Sequence, residues 1–118
     1  MRVMSDPNDV GESVLVLVRD LIFASRITAT AKAEDVAVVV IRDAAQLPGR
    51  AGRRLIVDLN QDGAIDAAAA WGKATGNDVL GFVSHVDAAT IARARDAGIS
   101  RVIARSRFVE ELPELLRD

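Results

Sequence analysis

The sequence predicts an α/β domain built on an open, doubly wound parallel sheet of five strands. Short apolar runs rich in Val and Ile alternate with Ala-rich stretches of helical period, which is the pattern of repeated βα units. The runs are continuously apolar, as expected for strands covered by helices on both faces. With 118 residues the chain has the size of one domain, so we expect a single fold over 13–118 after a flexible polar tail at 1–12.

Five apolar runs are the predicted strands, and helical segments alternate with them. The strands are SVLVLV (13–18), VAVVVI (36–41), RLIVDL (54–59), DVLGFVS (78–84) and RVIA (101–104). The helices fit 20–33, 63–75, 87–97 and 107–117. Between the second and third strands the chain offers little more than DAAQLPGRAG, whose proline and glycines interrupt helices. The second helix is therefore expected to be short or frayed.

Polar residues and glycines mark the ends of the predicted helices. Asp87 and Ser106 stand just before helical segments, where a side-chain oxygen can accept hydrogen bonds from the first turn. Gly76 and Gly98 follow helical segments and can adopt the left-handed conformation that ends a helix. The sequence thus predicts two N-caps and two C-terminal stops.

Composition excludes several functional classes. Fifteen Lys and Arg against seventeen Asp and Glu give a formal charge of −2, without the broad basic footprint of a nucleic-acid binder. The chain has no Cys and one His, which excludes disulfides, thiol nucleophiles and metal sites built from several Cys or His. The first residues lack the apolar stretch of a secretory signal, and no run reaches membrane-spanning length. We therefore expect a cytoplasmic protein without nucleic-acid or membrane partners.

The strand tips are the expected place of function, because open parallel sheets carry their functional groups at the carboxyl ends of the strands. Those tips carry Arg19 and Asp20 after strand one, Asp58 and Asn60 at strand three, Ser84 and His85 at strand four, and Arg105 after strand five. Together they would place carboxylates, an amide, a hydroxyl and guanidinium groups at one edge of the sheet.

This order of strand tips resembles the receiver domain of bacterial two-component response regulators, over about residues 13–117. LIVDLNQDG resembles the family's acceptor segment, with Asp58 in the place of the aspartate that accepts the phosphoryl group. Ser84 matches the hydroxyl position, and DAGISRVIARSRF resembles the fifth strand with the turn before it. The resemblance implies a three-layer, flavodoxin-like or CheY-like fold with strand order 2-1-3-4-5. It also implies a Mg²⁺ site formed by Asp20, Asp58 and the Asn60 carbonyl.

The sequence departs from the family at essential positions. Arg19 takes the place of the first acid of the acidic pair, so only Asp20 remains. Arg105 takes the place of the lysine after strand five, and the Lys-Pro step that usually follows is Arg-Ser here. The aromatic switch position of strand five is Val102. The resemblance is thus to an atypical, degenerate single-domain pseudo-receiver, closer in fold than in chemistry.

Arg19 bears directly on metal binding. Mg²⁺ takes oxygen ligands in octahedral geometry, so a fixed positive charge in place of a carboxylate removes a ligand and repels the ion. The Mg²⁺ site is therefore expected to be weak or lost, and no other cofactor is expected. The Arg19 guanidinium either reaches inward to Asp58 as a substitute for the metal or points outward into solvent, and its position favours the inward pair.

The remaining tip residues also have two interpretations each. Asp58 is a phosphoacceptor or an acid that orders the following turn, and Arg19 favours the second. Arg105 could supply part of the charge neutralisation that phosphoryl transfer needs, so that chemistry is weakened rather than excluded. Ser84 either senses an acyl phosphate or simply ends a strand. The lone His85 either tunes the site or is an ordinary rim histidine.

A local excess of arginine marks the C-terminal half as the expected interaction surface. The arginines are Arg93, Arg95, Arg101, Arg105 and Arg107. They lie on the predicted helix 4 (87–97), strand 5 and helix 5 (107–117), the face that receivers use for dimerisation or partner docking. An Arg-rich face can anchor a protein interface, although a solvated face balanced by nearby carboxylates is the plainer alternative.

Three functional hypotheses follow. The leading one is a stand-alone, non-enzymatic signalling module that acts through a protein partner or self-association, with phosphorylation lost or vestigial. The alternative is a working receiver phosphorylated on Asp58 by a histidine kinase. The third is an unrelated small α/β module that binds a small molecule or protein. It has no support from motifs, because the sequence contains neither a dinucleotide-binding loop nor a P-loop.

Overall fold

Five parallel strands form one sheet in the computed structural model, which describes residues 12–84 and 87–118. The strands are β1 (Val14–Leu17), β2 (Val38–Ile41), β3 (Arg54–Asp58), β4 (Asp78–Val83) and β5 (Arg101–Ala104). Their order across the sheet is β2-β1-β3-β4-β5, and every neighbouring pair is parallel. The predicted doubly wound sheet and the strand order 2-1-3-4-5 are confirmed.

The helices follow the strands in alternation. They are α1 (Leu21–Ala33), α2 (Ala64–Thr75), α3 (Ala88–Asp96), α4 (Arg105–Glu110) and α5 (Leu112–Arg117). Between β2 and β3 the chain forms only a short 3-10 helix, η1 (Ala44–Gln46). This confirms the prediction of a short second helix, since Pro48 and the glycines around it interrupt longer helical structure. No helix within the described residues is long and apolar enough to cross a membrane.

Two hydrophobic cores lie on opposite faces of the sheet, which makes the fold three-layered. Successive residues of a strand point to opposite faces, so Val14 and Val16 enter one core while Leu15 and Leu17 enter the other. The first core is closed by α1, α4 and α5, and the second by η1, α2 and α3. Burial on both faces explains why the strand sequences are continuously apolar.

The aromatic side chains are core residues. Phe82 and Phe108 stack with ring centroids 4.7 Å apart, and Phe23 packs at 5.4 Å from Phe82 and 5.8 Å from Phe108. These are the only three phenylalanines in the sequence. Trp71, the only tryptophan, is buried in the opposite core, and its indole Nε1 donates to the carbonyl of Arg50 at 2.9 Å. Trp71 is therefore an interior residue.

The C-terminal helical segment differs from its prediction as one helix over 107–117 with Ser106 as the N-cap. Helix α4 begins at Arg105 with Ala104 in the cap position, so Ser106 lies inside the first turn and caps nothing. The chain then bends at Glu111 and continues as α5. Pro113 explains the break, because it has no N–H to donate and its ring clashes with the carbonyl four residues earlier.

Two arginines at the start of β3 hold the C-terminal end of α5. Arg53 Nη1 donates to the carbonyl of Asp118 at 3.0 Å, and Arg54 donates to the carbonyl of Leu115. Arg54 is buried, and its Nε lies 3.0 Å from Asp78 Oδ2. The cations satisfy carbonyls that have no partner within the helix and oppose the negative end of the helix dipole. They fix α5 at the edge of the sheet opposite the strand tips.

Asp87 caps α3, as the sequence predicts. Its Oδ1 accepts from the backbone N–H groups of Ala89 at 2.9 Å and Thr90 at 3.2 Å, and Thr90 Oγ1 donates to Oδ2 at 2.8 Å. The Thr90 hydroxyl is the largest of the causes that lower the pKa of Asp87 below its ordinary value of 3.8. Gly76, with φ 72°, ends α2 in the predicted left-handed conformation.

We predict that the charge of Asp87 stabilises the fold at neutral pH and ceases to do so in acid. A carboxyl group with a lower pKa in the folded chain contributes stability above the unfolded pKa and loses it as the pH falls through the folded pKa. Asp87→Asn keeps a capping oxygen but not the charge, so the variant should be less stable than the wild type at pH 7. The difference should shrink below about pH 4. Urea denaturation of both proteins at pH 7 and pH 3 measures this, and an equal difference at both pH values contradicts it.

Candidate functional site

The predicted site residues that the structure describes lie at the carboxyl edge of the sheet. The strand register pairs Leu17 with Val57, Asp58 with Phe82, and Val83 with Ala104, so the four tips end at similar heights. The residues placed at this edge are Arg19, Asp20, Asp58, Asn60, Ser84 and Arg105. His85 lies outside the described residues. The structure thus assembles the predicted groups at one edge, and their contacts show how they are used.

Asp58 is the last residue of β3 and is half-buried. Its Oδ1 accepts a hydrogen bond from the backbone N–H of Asn60 at 3.0 Å, and its carbonyl accepts from the N–H of Gln61 at 3.2 Å. Both bonds order the turn that leads into α2. This is the turn-ordering role that the sequence suggests for Asp58; its role as a phosphoacceptor stays a prediction.

Asn60 links the tips of β3 and β4. Its side-chain Oδ1 accepts from the backbone N–H of half-buried Ser84 at 2.7 Å. Leu59 N–H also donates to the carbonyl of Phe82 at 3.0 Å, which extends the pairing of the two strands past Asp58. Sequence reasoning assigned a role only to the Asn60 carbonyl and missed the side chain. The signal in the sequence is an asparagine just after a strand, because its short side chain commonly forms hydrogen bonds with nearby backbone groups.

Asp20 is the N-cap of α1, a role that sequence reasoning also missed. Its Oδ1 accepts from the backbone N–H groups of Ile22 at 2.9 Å and Phe23 at 3.2 Å. Its Oδ2 lies 3.9 Å from Arg105 Nη2, and both side chains are substantially exposed. A solvent-exposed pair at that distance contributes little stability by itself. The sequence signal was an aspartate immediately before the first apolar residues of a helical period.

Arg105 lies against the aromatic cluster. Its Cζ is 3.9 Å from the centroid of the Phe23 ring, a cation–π geometry. Phe23 is buried and in turn contacts Phe82 and Phe108. The guanidinium is therefore held between a carboxylate at the tip of β1 and the face of a ring on α1. This arrangement fixes a positive charge at the edge of the sheet.

The Arg19 side chain lies on the β2 side of the β1 tip, away from Arg105. It is exposed and lines a surface hollow with Val40, Arg42, Asp43 and Gln46. Among the ion pairs of the described residues there is none between Arg19 and Asp58, so the favoured inward pair is not formed and the outward alternative describes its position. The cause is local: Asp20 turns toward α1 to cap it, and the adjacent side chain points away. Leaving the guanidinium in water also avoids its desolvation cost.

The donor set fits Mg²⁺ poorly. Residues 12–84 and 87–118 contain no group of three or more His, Cys, Asp or Glu side chains that could hold a metal ion. Asp20 and Asp58 each already use Oδ1 in backbone hydrogen bonds, and the second oxygen of Asp20 faces Arg105. A divalent ion would have to compete with a guanidinium for the same carboxylate. The predicted site of Asp20, Asp58 and the Asn60 carbonyl therefore stays a prediction of weak binding.

Comparison with known proteins identifies the architecture. No family model matches the sequence, and no curated protein matches it either. The signal receiver domain of an HD domain-containing protein from Pseudomonas fluorescens matches with a TM-score of 0.77 and 18% identity, covering 90% of this chain and 91% of that one. A response regulator from Thermotoga maritima matches with a TM-score of 0.71 and 14% identity, covering 90% and 94%.

A third match is a response regulator from Burkholderia pseudomallei solved with a phosphorylated aspartic acid, a calcium ion and citrate. Its TM-score is 0.72 and its identity 18%, covering 89% of this chain and 66% of that one. The sequences have diverged widely, but strand order, helix placement and coverage agree. The chain has the flavodoxin-like, CheY-like fold of response-regulator receiver domains.

Proposed function

We propose that this protein is a receiver-like signalling module that works through contacts with other proteins, without enzymatic activity and with phosphorylation lost or vestigial. The observation that carries the proposal is the position of Arg105. Its guanidinium stacks on Phe23 and lies 3.9 Å from Asp20, the one carboxylate left of the acidic pair. A receiver that depends on Mg²⁺ needs that carboxylate available to the metal.

The charges at the strand tips support a site that functions without a metal. Phosphoryl transfer to an aspartate depends on positioning and on neutralising the developing negative charge, which metal ions commonly provide. In this chain a permanent cation, Arg105, is the partner of Asp20, and a second cation, Arg19, stands beside it in sequence. The arrangement favours one state of the site rather than a switch between metal-bound and metal-free states.

The output surface that we propose is the face formed by α3, β5, α4 and α5. Two of its arginines form ion pairs. Arg101 lies 3.2 Å from Asp78 Oδ2, and Arg107 Nε donates to Glu111 at 2.8 Å. Arg93 and Arg95 occupy the last turn of α3 and are exposed. Contacts through such a face, with a partner or a second copy, would weaken as salt increases. The expected cytoplasmic location belongs to the same proposal.

The alternative function is a working receiver phosphorylated on Asp58 by a histidine kinase. Its support is that Asp58 is only half-buried at the end of β3 and that Ser84 stands at the neighbouring strand tip. The structurally similar response regulator from Burkholderia pseudomallei was solved with a phosphorylated aspartic acid, which supports this alternative. The two functions differ in what a phosphate mimic does to the site.

An amide NMR titration of ¹⁵N-labelled protein separates the two functions. The protein is titrated with Mg²⁺ to 10 mM and then with beryllofluoride, which imitates an aspartyl phosphate. We expect no saturating shifts at Asp58, Ser84 or Arg105. Saturating shifts at these residues in the wild type, absent from an Asp58→Asn control, would overturn the proposal and establish the working receiver.

A further inference from the structure

Three contacts join the turn after β3 to the tip of β4. The Leu59 N–H donates to the carbonyl of Phe82 at 3.0 Å. The Leu59 side chain lies over Gly81, where an added Cβ atom would meet Leu59 Cδ1 at 2.5 Å, so a larger residue would displace it. The third contact is the hydrogen bond from the Ser84 N–H to Asn60 Oδ1 at 2.7 Å. The turn is therefore packed and hydrogen-bonded onto β4.

Asp58 holds Asn60 in the conformation that reaches Ser84. Its Oδ1 accepts from the Asn60 backbone N–H at 3.0 Å, which orders the backbone at Asn60. The Asn60 side chain then accepts from Ser84 on the neighbouring strand. Two successive hydrogen bonds thus connect the Asp58 carboxylate with the end of β4. They use the backbone N–H of Ser84 rather than its hydroxyl.

The end of β4 determines where α3 can begin. Ser84 precedes Asp87, the N-cap of α3, by three residues, a distance of at most about 11 Å along an extended chain. The turn that contains Asn60 also faces Asp87, Thr90 and Arg93 across a surface hollow. A displacement of Ser84 therefore changes the start of α3, and the hollow leaves space for the helix to move.

Helix α3 is loosely held. Unlike the other helices, it packs extensively against no single element of the described residues. Its buried residues are Thr90 and Ala94, whereas Arg93 and Arg95 are partly or fully exposed. Elements with few buried contacts change position at low cost in free energy. The hydrogen bonds at the β4 tip are thus well placed to decide where α3 lies.

We propose that Asn60 is a positioning residue that sets the place of α3 through Ser84, with Asp58 holding Asn60 in the accepting conformation. The inference rests on the signalling function proposed above, because α3 belongs to the proposed output surface. It gives that surface a defined position without a metal ion or a phosphoryl group. A change at the Asp58 carboxylate that breaks its bond to Asn60 would release α3. The plainer role for Asn60 is to extend the β3–β4 pairing without any effect on α3.

Amide hydrogen exchange of ¹⁵N-labelled, metal-free protein tests the bond between Asn60 and Ser84. Asn60→Ala removes the acceptor, so the Ser84 amide should exchange about fivefold faster or more, relative to the amides of β1. Asn60→Asp keeps an acceptor oxygen and should restore the rate to within about twofold of the wild type. Gln61→Ala is the matched control. It removes an amide of the same turn that donates to the Arg42 carbonyl at 2.9 Å, and it should leave the Ser84 rate unchanged.

A double-variant cycle tests the link from Asp58. Asp58→Ala should raise the Ser84 exchange rate about threefold or more, because it frees the Asn60 backbone. Since Asp58 acts through Asn60, adding Asp58→Ala to Asn60→Ala should change the rate by less than about twofold. The amides of Thr90 and Arg93 should shift along one line in the two single variants, as expected when both bias the same two-state equilibrium.

Four results overturn the proposal: a Ser84 rate that Asn60→Ala or Asp58→Ala leaves unchanged, equal increases in Asn60→Ala and Gln61→Ala, an equal increase at the β1 amides, or α3 amides that do not shift. Asp58 and Asn60 are half-buried, so their replacement should leave the fold intact, which circular dichroism checks. The beryllofluoride titration tests phosphoacceptor chemistry in the wild type. Failure of the link through Asn60 is therefore distinguishable from failure of the proposed signalling function.

Discussion

Replacing Phe108 with alanine is expected to lower the free energy of unfolding by about 3–5 kcal/mol. Phe108 is fully buried on α4 and stacks on Phe82, with centroids 4.7 Å apart. Its removal opens a cavity between α1, β4 and α4, which we expect the surrounding side chains to fill only in part. A loss of this size is a large fraction of the total free energy of unfolding, which is only about 5–15 kcal/mol for many small domains.

Urea denaturation monitored by circular dichroism measures the effect. Phe108→Leu is the matched control, since it keeps most of the apolar contact without the ring and should cost about 1 kcal/mol. A loss below about 1 kcal/mol for Phe108→Ala would show that the cluster collapses around the cavity and is not rigid. Phe108 also supports Phe23, on which Arg105 lies, so the Arg105 amide should shift in the alanine variant.

The sheet could be predicted from the sequence because its cause is local. Strands buried on both faces must be continuously apolar, and each predicted run contains the observed strand, as RLIVDL contains β3. The short η1 was also predictable, since Pro48 limits helix formation between β2 and β3. The prediction of one helix over 107–117 is wrong at Glu111, where Pro113 ends the first helix and begins a second.

The candidate site could be predicted only as a set of residues. Their position at one edge follows from parallel strands, which the sequence pattern indicates. Their contacts do not, because they depend on which distant elements become neighbours. Arg105 stacks on Phe23 only because α1 and the segment after β5 cover the same face of the sheet. The Arg19 side chain points outward because the adjacent Asp20 turns toward α1 to cap it.

Replacing Arg19 with aspartate is expected to raise the affinity for Mg²⁺ by about tenfold or more. The substitution changes the charge beside Asp20 by two units, and in water each unit about 7 Å from a divalent ion is worth about 1 kcal/mol. It also adds a carboxylate oxygen where the family resemblance implies a metal ligand. The measurement is a Mg²⁺ titration of ¹⁵N-labelled protein, followed at the amides of Asp58 and Asn60.

Arg42→Asp is the matched control, because Arg42 is exposed beside Arg19 and its replacement makes the same change in charge without the carboxylate at the β1 tip. A ligand effect requires Arg19→Asp to exceed Arg42→Asp clearly, whereas equal gains would mean that only the general field changed. If neither variant binds Mg²⁺, the remaining obstacle is the guanidinium that faces Asp20. Combining Arg19→Asp with Arg105→Lys then tests it, since lysine keeps the charge but is a shorter, flexible point charge without the planar group that stacks on Phe23. Binding in the double variant alone would identify Arg105 as the residue that holds this site without a metal.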